Sequence, residues 1–239
     1  MASRALAGIA RRPARIAVSY AAAGGPHSSH MTATLQAIFG SAQVTPFTVR
    51  GEARAMPERA ARAIVEDADL VFLGGGDPVQ GARLLAAAGA DAWLRAARAR
   101  GTPCMGLSAG AMMLCAWWAA WPESPDPESP EGRAPHDGGT LVACTGVVPD
   151  LVVDCHAEED GWAELTIVHA MLAEAAGAGG KGAVTGPLRF LGLPSGSGVV
   201  VVSSGASGAS QASQASQASR ILENVGQTPY VISDWVGRR

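Results

Sequence analysis

The chain has 239 residues, enough to bury a sizeable core in a single α/β domain. Its 18 basic and 21 acidic residues leave a formal charge of -3, and the arginines are mixed with acids rather than gathered in a stripe. That gives no electrostatic case for nucleic acid and favours small-molecule or peptide chemistry. Cys104, Cys115, Cys144 and Cys155 show no CxxC spacing and sit mostly in apolar runs, so buried free thiols in a reducing cytoplasm are expected rather than zinc ligands or a disulfide framework. No metal or other cofactor is called for.

Residues 1–14 carry Arg4, Arg11 and Arg12 with no acids, but their apolar stretch is too short for a secretory signal, and they read as a tail ahead of the domain at 15–239. From there, apolar runs rich in branched residues alternate with alanine-rich stretches of helical length. This is the pattern of a mostly parallel sheet covered by helices. Strands are expected at 15–20, at 44–49, where Pro46 favours a sheet edge, and at 69–73; helices are expected at 31–39 and 56–68. The third strand runs into Gly74-Gly75-Gly76-Asp77-Pro78. A helical region at 79–100, with Gly89 as its weak point, leads to a short strand at 103–105. Residues 103–121 are uncharged, long enough for a membrane span by length, but a Gly/Ser-rich reversal inside them would leave backbone groups unpaired in lipid. A buried strand, a turn and a central helix are expected instead. Residues 122–139 pack five prolines and five acids among Ser and Gly, a loop of the length that often carries function. A strand at 151–154 ends in Cys155-His156, a helix is expected at 158–175, and the last strands at 190–191, 199–202 and 230–232. The Gln-Ala-Ser repeats of 203–219 hold no branched or aromatic residue and read as a low-complexity hairpin connection.

The turn at 106–111, Gly106-Leu107-Ser108-Ala109-Gly110-Ala111, reads as a nucleophile elbow. A strand entering a helix through a very tight turn pushes the apical side chain outward and needs small neighbours. The bland reading is a tight turn in an alanine-rich protein. Acyl transfer at Ser108 also needs a base and donors for the oxyanion. His27 and His30 flank the first helix as solvated loop residues, His136 sits in the acidic loop, and His169 lies in an apolar helix as a packed residue. His156 closes a strand at the presumed carboxyl edge of the sheet, where open α/β folds bind ligands, and is the candidate base. The glycine turn offers the N–H of Gly75 or Gly76, and the elbow offers that of Ala109, as a two-donor oxyanion hole. A phosphate loop is the competing reading of these glycines, but no Walker lysine follows and no GxGxxG is completed. The acid that orients the histidine has many candidates: Glu123, Asp126, Glu128, Glu131, Asp137, Asp150 and Asp154. Glu123 is preferred because it follows the helix leaving the elbow, with Asp126 next.

Taken together, Phe72-Leu-Gly-Gly-Gly-Asp77, the elbow thirty residues on and Asp154-Cys155-His156 resemble the serine peptidases of the peptidase E and cyanophycinase family, peptidase family S51. The resemblance implies a class I glutamine amidotransferase-like, flavodoxin-like fold, a three-layer sandwich with a serine where the amidotransferases carry cysteine. It implies Ser108 as nucleophile, His156 as base, Gly75 or Gly76 with Ala109 as oxyanion hole, and an acid at about the position of Glu123. The family's aspartate is replaced there by a glutamate one methylene longer. Its Gly-Gly-Gly-Asn-Thr loop reads Gly-Gly-Gly-Asp77-Pro78 here, which makes Asp77 a candidate for binding the α-ammonium of a short peptide. An arginine-rich segment expected after the histidine is replaced by Ala157-Glu-Glu-Asp160-Gly-Trp162, so selectivity for an acidic substrate residue lacks its cationic partner. Nothing positive supports a cyanophycin substrate.

An α/β-hydrolase esterase would share the order Ser, acid, His, but His156 follows Ser108 by only 48 positions, too few for the elements that fold inserts there. An inactive amidotransferase-like binding module would have lost the histidine or the glycine turn, and both are present. The apolar helical faces leave room for a homodimer without identifying one.

Overall fold

Short runs of branched and aromatic residues form the strands of this chain, and in the third of them, Leu70–Leu73, all four residues are buried. Continuous burial on both faces is the signature of a parallel sheet covered on each side. The computed structural model describes residues 13–24, 29–122, 139–177, 187–203, 219–225 and 230–236. They divide into two compact units, Met1–Val147 and Val148–Arg239.

In the first unit, β1 (Arg15–Ser19), β2 (Gln43–Pro46), β3 (Leu70–Leu73) and β4 (Cys104–Gly106) make an all-parallel sheet in the order β2-β1-β3-β4. Pro46 ends the edge strand β2, as a residue without an N–H should. Helix α1 spans Ser29–Phe39, α2 Glu58–Glu66, α3 Pro78–Ala87 and α4 Ala90–Ala99. Gly89, at φ 68°, separates α3 from α4 in a left-handed conformation that costs glycine little. Ile16, Val18, Tyr20, Leu35, Phe39, Leu70 and Phe72 form one core cluster, in which the Phe39 and Phe72 rings meet edge to face at 6.2 Å.

The expected long helix after the elbow is a correction. Helix α5 (Ala109–Leu114) has six residues, and the chain continues as β5 (Trp117–Ala120), paired antiparallel with β6 (Thr140–Ala143). The cause lies some thirty residues downstream. Thr145 donates from both its N–H and its hydroxyl to the Met113 carbonyl, at 2.9 and 2.7 Å, and Gly146 N–H donates to Cys115 O at 2.9 Å. The carbonyls that a longer helix would use are thereby occupied, and Cys115 turns to extended backbone. Residues 103–121 are thus strand, turn, short helix and strand, and among the described residues no helix is long and apolar enough to cross a membrane.

In the second unit, β7 (Leu151–Cys155), β8 (Leu188–Leu193) and β11 (Tyr230–Val236) pair in the order β11-β8-β7, with β7 and β8 parallel and β11 antiparallel to β8. Helix α6 (Ala163–Gly177) packs on them, its His169 meeting the Phe190 ring edge to face at 4.8 Å. It begins five residues later than the sequence suggests. Asp160 Oδ1 accepts from the N–H groups of Trp162 and Ala163, and Gly161 and Trp162 both have positive φ, so 158–162 is a turn that the helix follows. The ends of the low-complexity tract meet as expected of a hairpin: β9 (Gly198–Ser203) and β10 (Ser219–Val225) pair antiparallel, with Ser203 opposite Ser219.

Phe190 is fully buried between its partners on β7 and β11. Phe190→Ala is expected to cost about 3–5 kcal/mol in urea unfolding, since removing a large buried ring loses transfer energy and leaves a cavity.

Asp154, also on β7, is a buried carboxylate with Oδ1 accepting from Cys155 N–H at 2.7 Å and no partner for Oδ2 among the described residues. Burial pushes its pKa from the ordinary 3.8 up to about 7, with Glu164 and Asp160 adding repulsion. A carboxyl whose pKa is raised by folding binds its proton more tightly in the folded state. The stability this gives is complete below about pH 4 and lost as pH rises through about 7. Unfolding of wild type and Asp154→Asn, compared across pH, should show wild type losing on the order of 4 kcal/mol relative to the variant between those limits, and nothing further above them.

Candidate active site

The elbow is built by the approach of a helix start to two strand ends. Leu107 N–H donates to Leu73 O at 3.0 Å, which ties the exit of β4 to the exit of β3. A Cβ on Gly110 would fall 2.0 Å from Leu73 O, and one on Gly106 would fall 2.4 Å from the backbone of Gly110 and Ala111. Neither position tolerates a side chain. Ser108 between them takes φ 52° and ψ -123°, a conformation that costs a non-glycine residue about 1–3 kcal/mol. Its side chain is half-buried while Leu107 beside it is 50% exposed. The N–H groups of Gly110 and Ala111 turn back to the carbonyls of Leu107 and Ser108, at 2.9 and 2.7 Å, and Ala109, whose N–H precedes this ladder, is the first residue of α5.

The glycine turn lies against this serine. A Cβ on Gly75 would stand 3.3 Å from the Ser108 Cβ, and one on Gly76 would overlap the Ala22 carbonyl at 2.1 Å. The turn is anchored on both sides, by Gly74 N–H to Ser19 O at 2.8 Å and by Asp77 N–H to Ala22 O at 2.7 Å. Asp77 does something the sequence reading missed. It is the N-cap of α3, its Oδ1 accepting from Val79 N–H at 2.8 Å and Gln80 N–H at 3.1 Å, with Pro78 at the first helical position. Asp-Pro ahead of an alanine-rich run is the sequence signal for that role.

His156 leaves the end of β7 with φ 66°, and its N–H donates to Leu193 O at 3.1 Å. Its ring is exposed, and Nδ1 stands 3.2 Å from Ser195 Oγ. Ser195 N–H donates to Glu158 Oε1 at 2.9 Å, and hydrogen bonds from the Ser195 backbone and side chain hold the Glu158 carboxyl below the usual carboxylate range. Neither Ser195 nor Glu158 carried a motif that singled it out.

Among the other histidines, His169 is packed in α6 as expected, and His30 lies in α1. His27, His136 and the acids Glu123, Asp126, Glu128, Glu131 and Asp137 lie outside the described residues. Asp150 pairs with Arg189 at 3.0 Å, a tie between β8 and the start of β7. The four cysteines are free thiols. Burial pushes Cys104 up to about 11 and Cys144 and Cys155 up to about 12, which keeps these three protonated at neutral pH. A thiol next to His156 in sequence is therefore no rival to Ser108 as nucleophile.

A serine on a strained turn, with glycine backbone packed beside it, is chemically suited to attack on a carbonyl. Comparison with known proteins bears on which carbonyl. A "Putative Peptidase E Protein" from Listeria monocytogenes EGD-e has a similar structure, with 14% identity, TM-score 0.48, 72% of this chain covered and 81% of the other. A peptidase from an acI-B1 Actinobacterium is similar at 16% identity and TM-score 0.52, with 83% of this chain covered and 74% of the other. At that identity the second likeness speaks for the fold, α/β with a mostly parallel central sheet of the class I glutamine amidotransferase-like, flavodoxin-like kind. No curated protein matches in sequence. The sequence pattern of Peptidase family S51 matches residues 18–160, from β1 through the glycine turn and the elbow to just past His156, and the chain belongs to that peptidase family.

Proposed function

We propose that the chain is a serine peptidase acting on short peptides, of aminopeptidase or dipeptidase type, with Ser108 as nucleophile and His156 as general base. The observation that carries this reading is Ser108 at φ 52° on the elbow, flanked by glycines whose side-chain-free backbones admit β3 and the glycine turn to van der Waals distance. Strain of this kind persists where the surrounding structure enforces it, and it is commonest at functional sites.

In the proposed reaction, Ser108 Oγ attacks the scissile carbonyl carbon while His156 takes the hydroxyl proton. The carbonyl oxygen becomes an oxyanion held by the N–H of Ala109 and that of Gly75 or Gly76. The tetrahedral adduct collapses, the C–N bond breaks, and His156 gives its proton to the departing amine. Water then adds to the acyl-enzyme, losing its proton to His156, and the adduct releases a carboxylic acid and regenerates Ser108. A carboxylate that orients the imidazole completes the set, and the family resemblance gives that part to Glu123. Peptide amides are activated by proton transfer and oxyanion stabilisation alone, so no cofactor enters the scheme. Four free cysteines fit a cytoplasmic location.

Asp77 supplies the end-group preference. Its Oδ1 caps α3, while Oδ2 accepts neither of those two bonds, so one carboxylate can both hold the helix and face a peptide α-ammonium beside the glycine turn. A residue with both duties separates them on substitution, because asparagine caps a helix about as well as aspartate and carries no charge.

A small phosphonylating reagent, followed by mass mapping, should label Ser108 in wild type and nothing in Ser108→Ala, whose kcat/KM should fall at least ~1000-fold. Labelling confined to another residue would show the nucleophile to be elsewhere. Asp77→Asn should keep wild-type stability within about 0.5 kcal/mol yet raise KM about 10-fold for free-amine dipeptides and not for N-acylated ones; Asp77→Ala should in addition lose about 1 kcal/mol of stability. Equal KM changes for both substrate types would exclude the ammonium contact.

A further inference from the structure

The ring nitrogen of His156 that a triad acid would hold already has a partner. Nδ1 lies 3.2 Å from Ser195 Oγ, and Ser195 is itself bonded to Glu158 through both backbone and side chain. We propose that Ser195 and Glu158 are positioning residues for His156: Nδ1–H donates to Ser195 Oγ, whose own hydroxyl proton is donated to the Glu158 carboxylate, so that this pair fills the place the family resemblance gives to Glu123. The inference rests on the reading of His156 as the base.

The local folding of the chain delivers each member. Parallel pairing of β7 and β8 sets Cys155 beside Leu193, so the residues just past the two strand ends, His156 and Ser195, come off the same edge of the same sheet. His156 is bonded back to Leu193 through its N–H, which fixes the backbone from which the imidazole projects. Ser195 sits in a tight turn, residues 194–197, with Gly196 at φ 74°. That turn is closed by Ser197, whose N–H and hydroxyl both donate to Pro194 O, at 3.0 and 2.6 Å. The Ser195 hydroxyl is therefore not needed to make the turn and is spent on the His156–Glu158 side.

Glu158 is carried by the loop that leaves His156, and the loop is pinned at its far end. Trp162 is buried, its N–H donates to Ala157 O at 3.0 Å, and its ring lies so close to Gly192 on β8 that a Cβ there would fall 2.4 Å from it. Both ends of residues 156–162 are thus fastened to the end of β8, with Glu158 between them.

Two chemical consequences follow. A proton fixed on Nδ1 leaves Nε2 as the unprotonated nitrogen, which is the tautomer a general base needs. The charge on Glu158, retained well below neutral pH, then stabilises the imidazolium that forms when the base accepts its proton. The ionisable residues of the loop after His156 are Glu158, Glu159 and Asp160; residues 194–197 contain none, and Asp160 is committed to the start of α6. Glu158 is the acid whose bonds converge on the hydroxyl that faces the ring. A glutamate–serine–imidazole relay transmits less charge stabilisation than a direct carboxylate, because the pair is exposed and water screens it. Orientation and tautomer are its larger contribution.

The full-length protein and the variants Ser195→Ala, Ser195→Thr, Glu158→Gln and Glu123→Gln, each checked for wild-type thermal unfolding, would be compared in two ways. In kinetics on a short peptide across pH, Ser195→Ala and Glu158→Gln should lower kcat about 10-fold with little change in KM, and should move the acid limb of the profile to lower pH, since an imidazolium without its acceptors loses its proton more easily. Ser195→Thr should restore both. In 15N spectra of the His156 ring, the neutral wild type should carry its proton on Nδ1, and Ser195→Ala should shift the population toward Nε2–H. An unchanged tautomer and an unmoved acid limb in Ser195→Ala and Glu158→Gln would overturn the proposal, as would loss of activity confined to Glu123→Gln. The spectra need no turnover, so a Ser195-dependent tautomer in a protein whose Ser108 fails to label would fault the peptidase reading and leave the hydrogen-bond assignment standing.

Discussion

The approach of Gly110 to the Leu73 carbonyl is the constraint on which the first unit's site depends. A Cβ at that position would sit 2.0 Å from the oxygen, so the start of α5 can reach the end of β3 only because residue 110 has no side chain. With that approach made, β4 is short, its exit is hydrogen-bonded to Leu73, and the residue between strand and helix is forced to φ 52°. The rest of the local structure answers this geometry. The glycine turn after β3 must pass within contact of Ser108, and it can do so because Gly75 and Gly76 present backbone alone to Ser108 and Ala22. Asp77 then ends the turn by capping α3, so the same five residues pass their backbone beside the serine and start a helix.

Positive φ is the physical thread between the two units. Among the described residues the non-glycine positions with positive φ are Ser108, His156 and Trp162. Two of these are the proposed nucleophile and base, and the third fastens the loop that carries Glu158. A left-handed conformation at a side-chain-bearing residue costs free energy and is kept only where neighbours over-determine it. Here those neighbours are visible: Gly106 and Gly110 around Ser108, the Leu193 carbonyl at His156, and Gly192 under Trp162.

How much of this was legible in the sequence follows from the range of the interactions. The elbow is local, and its three small residues within five positions state the steric requirement directly. The parallel sheet was legible because β1 and β3 are buried along nearly their whole length and read as apolar runs, while Pro46 marked the half-buried β2 as the edge. The length of α5 was not, because its carbonyls are taken by Thr145 and Gly146, and no local pattern in 109–121 announces a partner that far along the chain. The pair Ser195 and Glu158 was missed for the same reason: Ser195 meets His156 across 39 positions, through a parallel register that periodicity suggests without fixing its offset. Asp77 failed differently. Its Asp-Pro pair is a local capping signal, and the contrast with the family's Asn-Thr concerns charge at a position where hydrogen-bond capping is the first duty.

That last case bears on how substitutions near a site should be read. Asparagine and aspartate both cap helices well, so exchanging one for the other at residue 77 leaves α3 intact and alters only the charge beside the glycine turn. The position is free to vary in charge because its structural task depends on an acceptor oxygen that both residues have. The opposite holds for the base proposed at His156, whose task depends on which nitrogen carries the proton, so that no change in backbone could substitute for an acceptor at Nδ1. A chain can therefore hold its catalytic geometry while its acid moves to a different segment, provided the replacement reaches the same nitrogen. The turn at 194–197 offers such a route, since Ser197 closes it and leaves the Ser195 hydroxyl for the proposed bridge between His156 and Glu158.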